Sequence, residues 1–522
     1  MATTAARVLT VVNPATLEPV GSVPATDPAA VQEAVAEARL AQERWAESPF
    51  EERAALLGRV ASVVLDSFDE IARTITAEVG KPLAESAGSD LLPALEAVVW
   101  FGRNAGRTLR TEPVKAPPFL RHKHGRLVYE PLGVVAGLTP WNFPLSIPLG
   151  LAAAAVAAGN AVVLKPSELA PLTGAWVERA FAEAGAPPAL VRVVQGGAEV
   201  GEALVGAHGV GKVVFTGSVE VGRRVAQAAA DRLVPATLEL GGKDPMLVFA
   251  DADLDRAVDG ALWASFANCG QVCSGAERIY VERPLYEPFL EELARRSRSL
   301  RIGAGDAAAT DLGPLVSERQ REHVEALVAD ALAAGAELRS GGRRPELALP
   351  GWFYEPTVLA GEQGRIRDEE IFGPVVSVVA FDNESEAVRR ANDTRFALGA
   401  SVWTRDRDRA ARVGGALRAG SVWTNDHAYS YASGGASWGG SARSGYGRTH
   451  SRHGLYELSH VKYVDADSGR TPVPWWYPYD PSLADGFRAL SELVYGDGLS
   501  RKAAAVWHGR RGLLALGRRY LR

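Results

Sequence analysis

A cysteine and a glutamate in the middle of the chain have the side chains needed for covalent chemistry on a carbonyl group. Cys273 ends the run FANCGQVC, and Glu239 lies 34 residues earlier in LELGGK. A cysteine thiol can attack a carbonyl carbon, and a carboxylate can activate the water that later hydrolyses the thioester. The pair therefore predicts a nucleophile and a base that act one after the other at a single site.

The composition excludes several classes of protein. The chain has 522 residues, 47% of them apolar, so at least two domains are expected. Its two cysteines, Cys269 and Cys273, cannot form a secreted disulfide framework, and its net charge of −5 argues against general affinity for nucleic acid. The sequence lacks both a signal-peptide pattern and an apolar run long enough to span a membrane. We expect a cytoplasmic protein without a metal site.

The segments around these motifs alternate between short apolar strands and helices. Strands are predicted at 133–138, 161–164 and 212–215, and each ends in a polar or glycine-containing turn. An alanine-rich helix that stops at Gly159 and another that runs to about Ala184 lie between them. The alternation predicts an α/β fold with a parallel sheet, and ligands usually bind at the carboxyl edge of such a sheet.

Helices are predicted before this region. Asp27, followed by Pro28, is typical of a helix start. Ser48 and Glu51 have the spacing of a capping box, which predicts a helix from that point to about Arg73.

A second α/β region follows, with helices predicted at 253–266 and 317–335 and strands at 375–381 and 400–403. After residue 464 an aromatic run at 472–479 precedes a short helix capped by Ser482. The apolar face of that helix is formed by Leu483, Phe487, Leu490 and Val494.

Six motifs occur in one order along the chain: TPWNFP (139–144), KPSE (165–168), FTGSVEVG (215–222), LELGGK (238–243), GQVC (270–273) and EEIFGP (369–374). With these motifs, and a weaker match at SGYGR (444–448), the chain resembles the NAD(P)-dependent aldehyde dehydrogenase superfamily over about residues 10–464. The resemblance implies oxidation of an aldehyde to a carboxylic acid through a cysteine thiohemiacetal and a thioester. It also implies a Rossmann-like cofactor domain, an α/β catalytic domain and a small β oligomerisation element.

The resemblance assigns roles to individual residues. Cys273 is expected to be the nucleophile and Glu239 the base, while the Asn142 amide and the Cys273 N–H stabilise the oxyanion. The expected cofactor-binding residues are Trp141, Lys165, Glu168, Gly217, Ser218, Gly222, Leu240, Glu370 and Phe372. The expected substrate pocket is lined by Phe143, Ile147, Val272, Ser274 and Trp438.

The predicted cofactor is NAD, with NADP also possible. The dinucleotide fingerprint GxGxxG is absent, but Gly217 and Ser218 follow a predicted strand and open a helix, whose free N–H groups can bind a phosphate. Glu168 is expected near the adenosine ribose, where a carboxylate repels the 2′-phosphate of NADP. This repulsion favours NAD.

The substrate is a small-molecule aldehyde, and departures from the family pattern bear on which one. Gly150 occupies the position where some semialdehyde dehydrogenases of the family carry a carboxylate-binding arginine, and the loop 425–438 is rich in Tyr, Ser and Gly. These features favour an apolar aliphatic or aromatic aldehyde. The alternatives are a succinate-semialdehyde-type dehydrogenase, a CoA-acylating dehydrogenase, which Glu239 argues against, and an inactive structural protein on the same fold.

The expected domains are an NAD-binding domain (1–112 and 133–243), a catalytic domain (244–444), an oligomerisation element (113–132 and 445–464) and a C-terminal extension (465–522). The alternating run at 121–130 predicts a projecting hairpin, so a homodimer or homotetramer is expected. The basic amphipathic end of the chain can lie on an anionic membrane surface, or form a solvated or subunit-packed helix. Cys269 could form a reversible disulfide with Cys273 or be a packing residue.

Overall fold

The structure, a computed structural model, describes residues 7–120, 122–467, 469–470, 473 and 475–520. Predictions that concern Arg121, Pro472, Pro474 or the last two residues therefore lie outside the described part of the chain.

The chain forms two compact units, whose bounds differ from the predicted domains. The larger unit comprises Met1–Thr108 and Pro131–His460, and the smaller comprises Leu109–Glu130 and Val461–Arg522. The predicted boundary at 243–244 is inside the larger unit, where the two predicted domains correspond to two sheets. Of the segments predicted as an oligomerisation element, 445–460 belongs to the larger unit and 461–464 to the smaller one.

The first sheet of the larger unit is parallel, as the alternating pattern predicts. Its strands lie in the order Gly445–Tyr446, Ala236–Glu239, Val210–Thr216, Val134–Leu138, Ala161–Lys165 and Val191–Val193. Neighbours are parallel apart from Gly445–Tyr446, which runs antiparallel to Ala236–Glu239. Because the neighbouring parallel strands end at Glu239, Thr216, Leu138 and Lys165, the turns that follow them meet at one edge of the sheet.

The second sheet follows the same principle. Its strands lie in the order Glu337–Ser340, Thr357–Ala360, Val375–Phe381, Ala276–Glu282, Asp244–Val248, Gly399–Trp403 and Ser421–Thr424. They are parallel, except that Glu337–Ser340 is antiparallel to its neighbour. The first strand of this sheet along the chain, Asp244–Val248, begins immediately after LELGGK. The chain therefore passes from one sheet to the other just after the candidate base.

Helices cover both sheets. The helix Ser146–Ala158 is buried almost all round, as its alanines allow, and it ends where Gly159 adopts a left-handed conformation with φ 93°. The other helices of the larger unit are Val31–Trp45, Phe50–Asp66, Phe68–Val79, Leu83–Glu85, Leu92–Thr108, Pro171–Glu183, Ala198–Gly206, Val219–Ala230, Leu254–Phe266, Arg283–Ser297, Glu318–Ala333, Glu384–Asn392, Arg407–Ala416 and Ser451–Glu457.

Of the two predicted helix starts, one is confirmed and the other is wrong. Asp27 is confirmed as a cap, since its carboxylate accepts a hydrogen bond from the Ala29 N–H. The capping box at Ser48 is wrong: Pro49 precedes the helix and no side chain caps it. The long helix to Arg73 is also wrong, because the backbone of Ser67 leaves the helical conformation and separates Phe50–Asp66 from Phe68–Val79.

The smaller unit contains a sheet and a helical hairpin. The strands lie in the order Ser459–Ala466, His124–Pro131 and Glu112–Val114, the last two antiparallel, as the predicted hairpin requires. The helices Ser482–Tyr495 and Leu499–Tyr520 pack against each other. Ser482 is not the cap of its helix; the Asp480 carboxylate accepts the Ser482 N–H at 2.8 Å instead.

Glycines permit the close contact in this hairpin. A Cβ on Gly512 would lie 2.2 Å from the backbone nitrogen of Gly486, and one on Gly509 would lie 2.1 Å from the Cβ of Ala489. Glycine weakens an isolated helix, but in the folded hairpin these glycines allow the two backbones to approach.

Candidate active site

A cavity of about 300 Å³ lies where the two sheets of the larger unit meet, and it brings most of the predicted catalytic and substrate residues together. Cys273 and Glu239 both line it, with Leu240 of the predicted cofactor set. All five predicted substrate-pocket residues line it as well: Phe143, Ile147, Val272, Ser274 and Trp438.

A strained loop presents Cys273 to this cavity. After the helix Leu254–Phe266, the residues Asn268, Cys269 and Gly270 have φ of 50°, 55° and 69°, in the left-handed region. Gly270 is required there because a Cβ would lie 2.0 Å from the carbonyl oxygen of Gly373. The turn carries the chain out of the core, so Cys273 is half-buried at the cavity wall.

The two cysteines have different surroundings. Cys269 is 2% exposed and packs in the apolar core of the second sheet, whereas Cys273 packs against Leu398, Trp423 and Trp438. Both thiols are free in this structure.

The surroundings of Cys273 favour the thiol over the thiolate. Burial raises its pKa above the ordinary range, and the carboxylates of Asp244, Glu370 and Glu239 raise it further. A base or a positive charge must therefore assist before this side chain becomes the more nucleophilic thiolate.

Glu239 is the last residue of the strand Ala236–Glu239, and its side chain is buried. Neither carboxylate oxygen makes a well-formed hydrogen bond with a described residue, but the Thr449 hydroxyl lies close enough to lower the pKa of Glu239. Burial raises its pKa to about 8; the Arg448 guanidinium opposes the rise and the Glu457 carboxylate adds to it. Since a carboxyl group of this kind is partly protonated near neutral pH, it is suited to exchanging a proton with water.

Asn142 departs from the prediction in part. Its amide nitrogen donates a hydrogen bond to the carbonyl oxygen of Gln271 at 3.0 Å, and Asn142 is not among the residues that line the cavity. The contact ties TPWNFP to the loop that carries Cys273. One of the two amide N–H groups is used in this way, so only the other is left for an oxyanion.

A buried ion pair that the sequence analysis missed supports this loop. The Lys81 ammonium contacts the Asp90 carboxylate at 3.1 Å and donates to the carbonyl oxygen of Asn142 at 2.7 Å. Asp90 in turn accepts the N–H of Ser146 at 2.7 Å, at the start of the helix Ser146–Ala158. The pair fixes the backbone on both sides of Phe143.

The motifs LELGGK and EEIFGP, far apart in sequence, meet beside Cys273. The Glu370 carboxylate accepts the N–H of Gly242 at 2.9 Å, and a Cβ on Gly241 would lie 2.1 Å from that carboxylate. Glu370 is half-buried, and this burial raises its pKa to about 8. Phe372 has a left-handed backbone conformation with φ 52°. Its ring meets that of Trp141 edge-on, with 5.5 Å between the ring centres.

Glu277 holds this meeting point together, and no sequence motif marks it. Its carboxylate contacts the Lys243 ammonium at 2.5 Å and accepts the N–H groups of Ile371 and Phe372, each at 2.9 Å. Both Lys243 and Glu277 are buried.

The remaining predicted cofactor residues lie at the carboxyl edge of the first sheet. Ser218 caps the helix Val219–Ala230 and accepts the N–H of Val221. A Cβ on Gly222 would lie 2.5 Å from Leu240, so glycine lets this helix approach the strand end. Lys165 and the exposed Glu168 form an ion pair at 3.3 Å. Free N–H groups, a carboxylate and an ammonium at one sheet edge are groups that fit a dinucleotide.

Aromatic rings surround the part of the cavity next to Cys273. Tyr431 lies 5.0 Å from Trp438, 6.3 Å from Phe143 and 4.8 Å from His450, measured between ring centres. Burial lowers the pKa of His450 to about 4, so its imidazole is neutral. The cavity next to Cys273 is mainly apolar.

Several polar residues of the cavity were missed. Glu85 lines it and accepts the N–H of Asn268 at 2.8 Å; burial raises its pKa to about 7 and Lys81 opposes the rise. Others include Thr237, His427, Arg448, Thr449, His450 and Glu457. Arg448 is the last residue of SGYGR, and proximity to this motif could have indicated Thr449 and His450, but nothing in the sequence marks Glu85 or Glu457.

Comparison with known proteins identifies the family. The model of the aldehyde dehydrogenase family matches residues 1–464. A betaine aldehyde dehydrogenase of Mesorhizobium japonicum is 39% identical over 472 residues, which cover 90% of this chain and 95% of that protein.

Solved structures agree. The aldehyde dehydrogenase of Brucella melitensis biovar abortus superposes with a TM-score of 0.84 at 37% identity, covering 88% of this chain and 94% of that one. The betaine aldehyde dehydrogenase of Staphylococcus aureus, solved in complex with NAD⁺, gives 0.86 at 34% identity and covers 90% and 94%. The chain belongs to the aldehyde dehydrogenase family, so the predicted α/β fold and the class of oxidoreductase acting on the aldehyde group are confirmed.

Proposed function

We propose that this enzyme oxidises an aldehyde to a carboxylic acid with NAD, with Cys273 as nucleophile and Glu239 as base. The supporting observation is that both side chains line one cavity, at the end of the sheet edge where the predicted cofactor residues lie. When bound, NAD supplies the hydride acceptor. Ser218 and the helix start after it would hold the pyrophosphate, Lys165 and Glu168 the adenosine ribose, and Glu370 the nicotinamide ribose.

The first stage forms a bond between the Cys273 sulfur and the aldehyde carbon. The raised pKa of the thiol means that a proton must leave as the sulfur attacks. The oxyanion that develops is stabilised by the Cys273 N–H and by the amide N–H of Asn142 that does not bind Gln271. Lys81 and Asp90 keep Asn142 in place from behind.

Loss of a hydride from the thiohemiacetal carbon, which NAD would accept when bound, leaves a thioester between the substrate and Cys273. The second stage hydrolyses this thioester. Glu239 removes a proton from water, the hydroxyl adds to the thioester carbon, and the carbon–sulfur bond breaks to release the acid and Cys273. Glu239 makes no well-formed hydrogen bond with another described residue, so its carboxylate is free to orient this water. The activation of water by Glu239 distinguishes hydrolysis of the thioester from acyl transfer to CoA.

The substrate proposed first is an apolar aliphatic or aromatic aldehyde, because rings and aliphatic side chains dominate the wall beside Cys273. A second candidate is an aldehyde with a quaternary ammonium group. The relatives named betaine aldehyde dehydrogenase motivate it. Aromatic faces bind such cations, and the Glu85 carboxylate in the same cavity would add attraction.

An isosteric pair of substrates distinguishes these candidates. Trimethylammonioacetaldehyde and 3,3-dimethylbutanal differ chiefly in charge, so the ratio of their kcat/KM values isolates its effect. A preference for the neutral aldehyde supports the first candidate. A preference for the cation that falls several-fold in Glu85→Gln supports the second.

The activity itself is tested by NADH formation with a panel of aldehydes, with and without CoA. Turnover without CoA is expected. Turnover that requires CoA would support the acylating alternative, and no turnover with any aldehyde would contradict the proposed function.

The smaller unit carries a further proposal, that the helix Leu499–Tyr520 rests on an anionic lipid surface. Trp507 and Leu514 are 69% and 62% exposed and share one helix face with Arg510, whose guanidinium lies 5.3 Å from the Trp507 ring centre. The helix contains six basic residues and no acidic one. No helix among the described residues is long and apolar enough to cross a bilayer. A basic, aromatic face matches a membrane interface.

Co-sedimentation with phosphatidylglycerol vesicles tests this face, with phosphatidylcholine vesicles for comparison. The full chain should sediment with the anionic vesicles, and the Trp507→Ala/Leu514→Ala variant should remain in solution. Tyr477→Ala/Tyr479→Ala is the matched control, because these aromatic side chains are 82% and 66% exposed outside the basic helix. Equal behaviour of both double variants would exclude a specific lipid-binding face.

A further inference from the structure

The cavity at Cys273 extends past Glu239 to a second carboxylate. Beyond Glu239 its wall is formed by Val214, Thr216 and Thr237 of the first sheet and by Gly454 and Glu457 of the helix Ser451–Glu457. Gly150, Leu151 and Ala154 of the helix Ser146–Ala158 form another side. We call this part the side channel.

Glu457 ends the side channel in a polar cluster. One of its carboxylate oxygens accepts a hydrogen bond from the Lys212 ammonium at 2.8 Å and from the Thr237 hydroxyl at 3.1 Å. The Lys212 side chain is only 3% exposed, whereas that of Glu457 is 34% exposed. Glu457 therefore joins the interior of the channel to solvent.

Thr237 connects this cluster to Glu239. The two residues are separated by one position on the strand Ala236–Glu239, so their side chains leave the same face of the sheet. The charged groups that act on Glu239 are Arg448 and Glu457, and Cys273 lines the same cavity. His450 also lines it and is neutral.

The proposed hydrolysis creates a requirement that the channel can meet. In each turnover Glu239 gains one proton from water, and it must lose that proton before the next cycle. The Glu239 side chain is buried, and the neighbouring Thr449 hydroxyl is too weak a base to accept its proton. Thr216, Thr237 and Glu457 supply polar groups along the channel that can bind water.

We propose that Glu457 is the outlet for this proton: water in the side channel carries it from Glu239 past Thr237 to Glu457, which passes it to solvent. One O–H bond of the hydrolytic water breaks, and its proton resides on Glu239 before it leaves through Glu457. The proton that Cys273 loses when it attacks is regained when its thiolate is released, so each turnover yields one acid and one proton besides the reduced cofactor. Glu457 touches neither substrate nor cofactor in this scheme. It acts through Glu239, and the inference rests on the function proposed above.

Glu457→Gln tests the outlet, because it removes the proton acceptor and nearly preserves the shape. The burst of NADH should remain, while the steady-state rate that follows falls about tenfold. Added small buffers that carry protons, such as imidazole, should restore much of the rate. The pH dependence of hydrolysis should shift to lower pH, since the charge that raises the pKa of Glu239 is gone.

Two further variants separate this role from a structural one. Lys212→Met breaks the same ion pair but keeps the Glu457 carboxylate, so it should retain buffer-independent turnover. Glu457→Asp should recover most of the rate. Equal loss of rate and of melting temperature in Glu457→Gln and Lys212→Met, without rescue by buffer, would show that the pair only supports the fold. If the wild type turns over and the Glu457→Gln variant turns over at the same rate, the proposed outlet is wrong but the proposed function stands. If the wild type shows no turnover, the proposed function itself is wrong.

Discussion

The chemistry of Glu239 is determined by its surroundings. Its carboxyl group is buried at the end of a parallel strand, and its pKa is raised to about 8. Only roughly a tenth of it is therefore ionised at pH 7. In the unfolded chain the group would ionise near its ordinary pKa, so between that value and 8 the folded protein keeps a proton that the unfolded protein releases. Its burial consequently costs stability as the pH rises through this range.

The rate of thioester hydrolysis should therefore rise with pH up to about 8, because the carboxylate is the active form. The increase between pH 6.5 and 8.5 should be several-fold, measured as the steady-state rate after the NADH burst. Glu239→Gln should keep the burst, slow the steady state by at least tenfold and remove this rise. A steady state equal to that of the wild type would mean that another group activates the water.

Cys273→Ala should abolish aldehyde oxidation while cofactor binding, followed by fluorescence titration with NADH, stays within about twofold. Cys269→Ala is the matched control, since it removes the same thiol from a position that is 2% exposed and away from the cavity. Iodoacetamide should label Cys273 first and inactivate the enzyme in step. Turnover of Cys273→Ala above a few per cent would contradict its role as nucleophile.

Glu168 determines the expected preference for NAD. Its exposed carboxylate, paired with Lys165 at 3.3 Å, would face a 2′-phosphate with like charge. The ratio of kcat/KM for NAD to that for NADP should exceed one and fall about tenfold in Glu168→Gln. Glu202→Gln, which removes another exposed carboxylate that pairs with an arginine, controls for a general change in surface charge. An unchanged ratio would exclude this role for Glu168.

At the scale of elements, short-range patterns predicted the strands and helices well, and contacts between distant segments account for most errors. The strand Val134–Leu138 and the helix Leu254–Phe266 match their apolar patterns closely. The break at Ser67 carries no proline or glycine to mark it. Asn142 was placed correctly in its loop, but its bond to Gln271 depends on a segment 129 residues away.

The same reason explains the missed residues of the site. Glu277 and Glu457 follow no motif, and each acquires its position only when a distant element packs against it, through Lys243 and Lys212 respectively. Motifs predict the groups that contact a cofactor or substrate, whereas the groups that hold or connect them become visible only in the folded chain.

The helical hairpin of the smaller unit offers a prediction about elements. Gly512→Ala should separate the two helices, because its Cβ would lie 2.2 Å from the backbone of Gly486. Gly517→Ala is the matched control: a Cβ there meets nothing within 4 Å, so it should stabilise the helix by about 1 kcal/mol. Hydrogen exchange of the full chain should show faster exchange over 482–520 for the first variant and slower exchange for the second. The reverse order would contradict this packing.

At the scale of the whole molecule, the candidate site is formed entirely by the larger unit, from Glu85 to Glu457. The smaller unit contributes no residue to the cavity wall among the described residues. Its role is therefore expected in association, either with another copy of the chain or with lipid, rather than in the chemistry.

The last prediction is that the chain forms a homodimer or homotetramer through the strand Ser459–Ala466. Val461 and Tyr463 are two positions apart, so both lie on one face of this strand. They are 52% and 56% exposed, which favours burial against a second subunit. Val461→Asp should reduce the mass measured by light scattering to that of a smaller assembly. His460→Asp places the same charge on the opposite face of the same strand, so it should leave the assembly intact. Dissociation by both variants would indicate a damaged strand, and dissociation by neither would exclude this face as the interface.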